Sequence, residues 1–165
     1  SEAERACLAR HAAGRRRLVE IGVFEGVTTL ALRRVMAADG VLFAVDPFPV
    51  GRLGVSFHER IARVEADRSD NGRVEWIRAT GADAAVDPRV AGEPIDFIFV
   101  DGDHRWEGIA GDWEAWSGRV VPGGVMAFHD SRNIDAPSAR FTESVVATDP
   151  RYVVIDVVDT ITVVR

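Results

Sequence analysis

Two acid–histidine clusters hold the side chains best suited to chemistry in this chain. One is Asp101-Gly102-Asp103-His104; the other is His129-Asp130, with Asp130 29 residues after Asp101. Each follows an apolar run, Ile95–Val100 and Val125-Met126-Ala127-Phe128, that reads as a buried strand. Polar groups crowded at such a strand end are costly to bury without a partner. Adjacent parallel strands lie about 4.8 Å apart, so Asp101 and Asp130 can converge on one ion. Two carboxylates with a histidine or water oxygens suit a hard divalent cation such as Mg²⁺. His129 or His104 would also admit Mn²⁺, Fe²⁺ or Zn²⁺. Taken singly, Asp103 reads as the N-cap of the helix that follows.

A second constellation lies upstream. Leu18-Val19-Glu20-Ile21-Gly22-Val23-Phe24-Glu25-Gly26 reads as a short strand entering a glycine turn, with an amphipathic helix directly after it. Gly22 allows a close backbone approach, and Gly26 would let a ligand lie against the start of the helix. The pattern is E-x-G-x-x-x-G. It departs from the dinucleotide fingerprint, which needs a glycine where Phe24 stands. Asp46 ends the next strand, 24 residues after Gly22, where a short acid can accept hydrogen bonds from both ribose hydroxyls of an adenosine-containing cofactor. Asp83 follows the third strand, either as an acid beside the adenine or as a helix N-cap.

The elements that must position these residues alternate along the whole chain. Helices are expected at 2–13, from Val27 to the stop at Gly40, around Phe57, Ile61 and Val64, from Trp106 and near 138–147. Strands are expected at 18–23, 41–45, 73–78, 95–100 and 125–128. The runs 152–158 and 161–165 are joined by a tight turn and should pair antiparallel. Trp106, Ile109, Trp113 and Trp116 recur at spacings of 3, 4 and 3, a core-facing stripe. The expected fold is α/β: one Rossmann-like, doubly wound domain over 1–165. Its seven-stranded sheet should be mostly parallel, with helices on both faces and a C-terminal antiparallel β-hairpin. In such sheets ligands sit beyond the carboxyl ends of the strands, and both constellations fall there.

Composition narrows the partners. The 165 residues carry a net charge of -6, with no basic footprint for nucleic acid or an anionic membrane. No apolar run reaches the roughly 18 residues of a membrane span, and no secretory signal is visible. Cys7, the one cysteine, excludes an internal disulfide and suits a reducing cytoplasm. It reads as a small buried residue on the first helix.

The runs VEIGVFEGVTTLAL, AVDPF, IDFIFVDGDHRWEG and VVPGGVMAFHD, in that order, resemble class I S-adenosylmethionine-dependent methyltransferases. More narrowly they resemble the small-molecule O-methyltransferase group with a DGDH motif, related to catechol-type and macrolide-sugar O-methyltransferases and to cephalosporin-pathway methylation proteins. The resemblance implies S-adenosylmethionine as cofactor. Glu20, Gly22 and Gly26 would hold its methionine end, with Thr28 and Asp101 beside them, Asp46 the ribose and Asp83 the adenine side. It also implies Asp101 and Asp130 as ligands of a divalent cation, with His129 beside them. The catechol-type pattern has asparagine after the second acid, where this chain has Ser131, and a lysine base near the first ligand. Here the nearest candidates are His104 and Arg105, and His104 is the preferred base, since a histidine can take a hydroxyl proton near neutrality. The implied acceptor is a hydroxyl of a sugar, polyol or phenolic natural product. The rivals are a catalytically idle cofactor- or partner-binding domain and a nucleotide-dependent oxidoreductase. The loops Pro47 to Ser56 and Ser131 to Ser138 are the candidate substrate walls. If neither forms a pocket, a second subunit of a homo-oligomer must supply one.

Overall fold

Continuous apolar runs become strands when both faces of a sheet are covered. The described residues hold seven strands, β1 Arg17–Ile21, β2 Val41–Val45, β3 Arg73–Ile77, β4 Ile95–Val100, β5 Val120–Phe128, β6 Val154–Val158 and β7 Ile161–Val164, of which the edge strands β3 and β6 are only partly buried. The computed structural model describes residues 1–52, 54–133 and 135–165. It joins the strands in the order β3-β2-β1-β4-β5-β7-β6. The first five run parallel, and β7 pairs antiparallel with both β5 and β6. The expected doubly wound sheet and closing hairpin are both present.

Among the described residues six helices cover the sheet: α1 Glu2–Ala12, α2 Val27–Val35, α3 Phe57–Ala66, α4 Gly81–Ala84, α5 Trp106–Trp116 and α6 Pro137–Phe141, the last running into a π-helical turn at Thr142–Val146. Strand alternation divides the core between them. Val19 and Ile21 of β1 pack with Trp113 and Trp116 of α5, whereas Leu18 packs with Leu8 of α1 and Leu32 of α2. Glu20 shares Leu18's face and therefore lies beneath α2. Trp113 and Trp116 are buried as the stripe implied, but Trp106 is half exposed and meets Phe141 edge-on.

The stripe expected for α3 is reversed. Phe57, Ile61 and Val64 face outward, and Ala62, Ala66 and Glu59 face in. Small residues win because this helix approaches the glycine turn closely. A Cβ on Gly26 would stand 2.8 Å from the Ala62 Cα. Glu59 is buried with its charge paired to Arg63 and Arg78.

Candidate functional site

The hydrogen-bond ladder continues one rung past four strands. Gly22 N donates to Val45 O (2.9 Å), Asp46 N to Ile77 O (3.1 Å), Asp101 N to Ile21 O (2.7 Å) and His129 N to Val100 O (3.0 Å). The residues that follow β1, β2, β4 and β5 therefore stand side by side where strand order reverses, the expected place for a ligand in this architecture. A cavity of about 1010 Å³ opens over the first three of these, at the ends of β1, β2 and β4. Gly22, Thr28, Asp46 and Asp101 line it, with Pro47 and Pro49 from one of the expected wall loops. Positions 53 and 134 of the two wall loops lie outside the described residues.

Asp46 is half-buried and ties the glycine turn to β2. Its Oδ2 accepts from Val23 N (3.0 Å) and Phe24 N (3.3 Å), and its Oδ1 from Phe48 N (2.7 Å). Gly22 has φ +88°, and a side chain there would collide with the Asp101 carbonyl. Its openness thus admits the neighbouring strand end as well as the cavity.

Three of the residues expected to hold the cofactor stand elsewhere. Gly26, at φ +80°, is not among the cavity-lining residues; what it accommodates is the α3 backbone at Ala62. Glu20 is 0 % exposed, under the cavity floor rather than in its wall. Thr29 Oγ1 donates to Glu20 Oε2 (2.6 Å), while the buried Oε1 has no hydrogen-bond partner. Burial pushes the Glu20 carboxyl up to about 8 against the pull of the Thr29 hydroxyl, with Asp101 and Asp46 adding to the rise. Asp83 is exposed, and its Oδ2 accepts from Thr80 Oγ1 (2.8 Å). Thr80, not Asp83, is the N-cap of α4. Asp103 likewise does not cap α5. It folds back on Arg105, accepting from the Arg105 amide (3.0 Å) and pairing with its guanidinium, which holds the Asp103 carboxyl below its ordinary range.

The acid–histidine cluster assembles beside the cavity and shares Asp101 with it. Candidate ligand atoms of Asp101, His104 and His129 lie within 4.8 Å of one another. His104 Nε2 is 3.4 Å from Asp101 Oδ1, and its Nδ1 is 3.2 Å from Asp130 Oδ2. His129, which extends the ladder, comes nearer to Asp101 than sequence alone implied, with Nδ1 2.8 Å from Asp101 Oδ1. That pair is close but misaligned: His129 Nδ1 is buried and has no hydrogen-bond partner. Asp130 turns off the strand at φ +49° and closes the group through His104. Burial acts to raise the Asp101 carboxyl, but the two imidazoles outweigh it and hold the group low. Asp101 in turn raises both histidines against their own burial.

A second triad, Cys7, His11 and Asp156, is equally close but serves to hold α1 against β6. Asp156 already pairs with Arg10 and with His11 Nε2 (2.8 Å). Burial pushes the Cys7 thiol up to about 11, so the thiolate a metal requires is disfavoured. Sequence reasoning missed Asp112, a cavity-lining acid on α5 that is 5 % exposed. The available signal was a carboxylate inside the tryptophan stripe, between Ile109 and Trp113.

Residues 19–131 match the family model described as a methyltransferase domain. The chain belongs to that methyltransferase family. It is 29% identical over 155 residues to the catechol O-methyltransferase of Mycobacterium tuberculosis, covering 87% of this chain and 66% of the relative. The methyltransferase chain spans 14%, 66% and 50% of three curated relatives it matches. Cofactor-bound Rv0187 from MTB superposes with a TM-score of 0.78 at 23% identity, over 99% of this chain and 79% of that one. The O-methyltransferase TomG from Streptomyces achromogenes, solved with S-adenosylmethionine, gives 0.69 at 20% identity, over 98% and 77%. These likenesses bear out the class I methyltransferase fold expected from the four motifs.

Proposed function

We propose that this methyltransferase transfers the methyl group of S-adenosylmethionine to a hydroxyl of a small molecule, on a sugar, polyol or phenolic natural product. The observation that carries the reading is the shared Asp101, which sets the Asp46-walled cavity directly against the acid–histidine cluster. A donor bound in the cavity has its reactive end beside groups that can prepare an acceptor.

Charge supports the donor. Six carboxylates line the cavity (Glu25, Asp46, Asp101, Asp103, Glu107 and Asp112) against Arg105 and His58 as the cationic candidates. Arg105 is already paired with Asp103. A negative cavity favours a sulfonium cation. The acceptor oxygen attacks the methyl carbon, the carbon–sulfur bond breaks as the carbon–oxygen bond forms, and the hydroxyl proton passes to a base. His104 is assigned as that base, being more exposed than His129 (41% against 28% of the side chain). In-line placement supplies the rest of the barrier reduction, since the sulfonium already activates the methyl group.

The cluster's donor set also fits a divalent cation. Asp101 and His129 would hold it with Asp130 beside them, its Oδ1 3.8 Å from His129 Nδ1, and that Nδ1, buried without a hydrogen-bond partner 2.8 Å from an Asp101 oxygen, is the observation that favours it. When bound, such an ion would lower the pKa of an acceptor hydroxyl and orient it. Among the described residues no helix is long and apolar enough to cross a membrane. The acidic charge argues against nucleic acid as substrate, and the single buried thiol suits the cytoplasm.

The test is a methyl-transfer screen of vicinal diols, catechols and amines, with and without divalent ions. Transfer to the diol or catechol hydroxyl is the expected result. Transfer to amines alone would overturn the acceptor class, and no transfer at all would favour the idle-domain reading.

A further inference from the structure

Asp112 is a buried acid facing the cavity. Its carboxylate packs against two strand-end loops, tightly at Gly81 and in ordinary contact at Gly102. A side chain on Gly81, after β3, would run into it, and a Cβ on Gly102, after β4, would stand 3.7 Å from its Oδ2. The Gly81 loop is fixed by Trp116, whose buried indole Nε1 donates to Gly81 O (2.9 Å). The Ala82 amide within reach of the carboxylate is the single donor that opposes its rise in pKa. Burial first, and the charge of Asp103 second, push this carboxyl up to about 7. A carboxylate has room for about four hydrogen bonds, so acceptor capacity is left for a ligand in the cavity.

The position in the cavity says which part of the ligand arrives there. With the ribose on Asp46 at the end of β2, the acid–histidine cluster at β4 and β5 draws the sulfonium end to its own side. The base must then extend towards the β3 end and the α4–α5 face. The wall there is thin: Ala79, Ala82, Gly108 and Gly111 present nothing beyond a Cβ, which leaves space for a planar ring.

We propose that Asp112 is the acid that accepts a hydrogen bond from the exocyclic amine of adenine and so selects an adenosyl donor. This rests on the methyltransferase cavity being the cofactor site. It moves the adenine contact from the expected loop acid, Asp83, to the helix that closes the cavity.

The test compares binding of S-adenosylhomocysteine with S-inosylhomocysteine, whose base carries a carbonyl in place of the amine. Both are titrated calorimetrically into the wild-type chain and into Asp112→Asn, with folding checked by circular dichroism. A lost hydrogen bond to a charged group predicts about tenfold or greater preference for the adenosyl ligand in the wild type. The asparagine amide of the variant can donate to the inosyl carbonyl, so its preference should collapse towards unity. Wild-type binding without discrimination, or discrimination that survives Asp112→Asn, would overturn the proposal while leaving the cofactor site intact. Failure of the wild type to bind either ligand would overturn the cofactor reading and this proposal together. The wild-type comparison needs no variant, so a poorly folding substitution does not remove the test.

Discussion

The glycine turn and the acid–histidine cluster stand on the same rung of the sheet but are satisfied in opposite ways. Around the turn the protein supplies most of the partners: three backbone amides donate to Asp46, and Thr29 donates to one Glu20 oxygen, the other being buried without a partner. In the cluster, two carboxylates and two imidazoles face one another, and His129 Nδ1 lies 2.8 Å from Asp101 without a proper hydrogen bond. The first region is preorganised before any ligand arrives. The second balances its charge only by protonating the histidines or by sharing a cation. In the proposed function the first region grips the donor and the second carries the reaction.

Disabling the cluster should therefore abolish turnover and spare the grip. Asp130→Asn is expected to lower methyl transfer by about 100-fold or more, the scale of a general acid–base contribution. S-adenosylmethionine affinity by calorimetry should stay within about twofold. A matching loss of affinity would merge the two regions into one.

Asp46→Ala attacks the grip. Binding of S-adenosylmethionine should weaken by roughly 1.5–3 kcal/mol, the scale of charge-assisted hydrogen bonds. Thermal stability should fall as well, because the Val23, Phe24 and Phe48 amides lose their acceptor. Unchanged affinity in the folded variant would leave Asp46 a turn residue.

Gly26→Ala separates scaffold from ligand contact. The new methyl meets the α3 backbone at φ +80°, so urea unfolding should show a loss of about 1–3 kcal/mol. Cofactor affinity of the folded protein should hold. If affinity falls and stability does not, the glycine touches the ligand after all.

The last effect is a slope. An unfolded Glu20 gives up its proton near 4.5, and the folded one keeps it to about 8. Between those values the unfolded state binds fewer protons, so stability should fall as pH rises, by at most about 1.4 kcal/mol per pH unit. Glu20→Gln should remove that component from urea unfolding curves taken between pH 5 and 8. Parallel slopes in variant and wild type would show that Glu20 ionises normally.

Much of this arrangement is legible in the linear chain, for identifiable reasons. The strand runs, Asp46 and the two acid–histidine clusters are local features with period and punctuation. The ladder then fixes where they meet. The departures come from tertiary contacts that no local pattern carries. Gly26 answers to Ala62, 36 positions away, and that same approach turns Phe57, Ile61 and Val64 outward. Asp83, expected beside the adenine or as an N-cap, accepts instead from Thr80, which itself caps α4. Asp112 escaped notice because its only local context is a helix full of tryptophan.

The proposed function requires the cavity over the glycine turn to be built for a sulfonium-bearing adenosyl cofactor. Calorimetric titration of the wild-type protein with S-adenosylmethionine and, separately, with NAD decides the matter. Saturable binding of S-adenosylmethionine, with no heat from NAD, is the expected result. Binding of NAD with none of S-adenosylmethionine would contradict it.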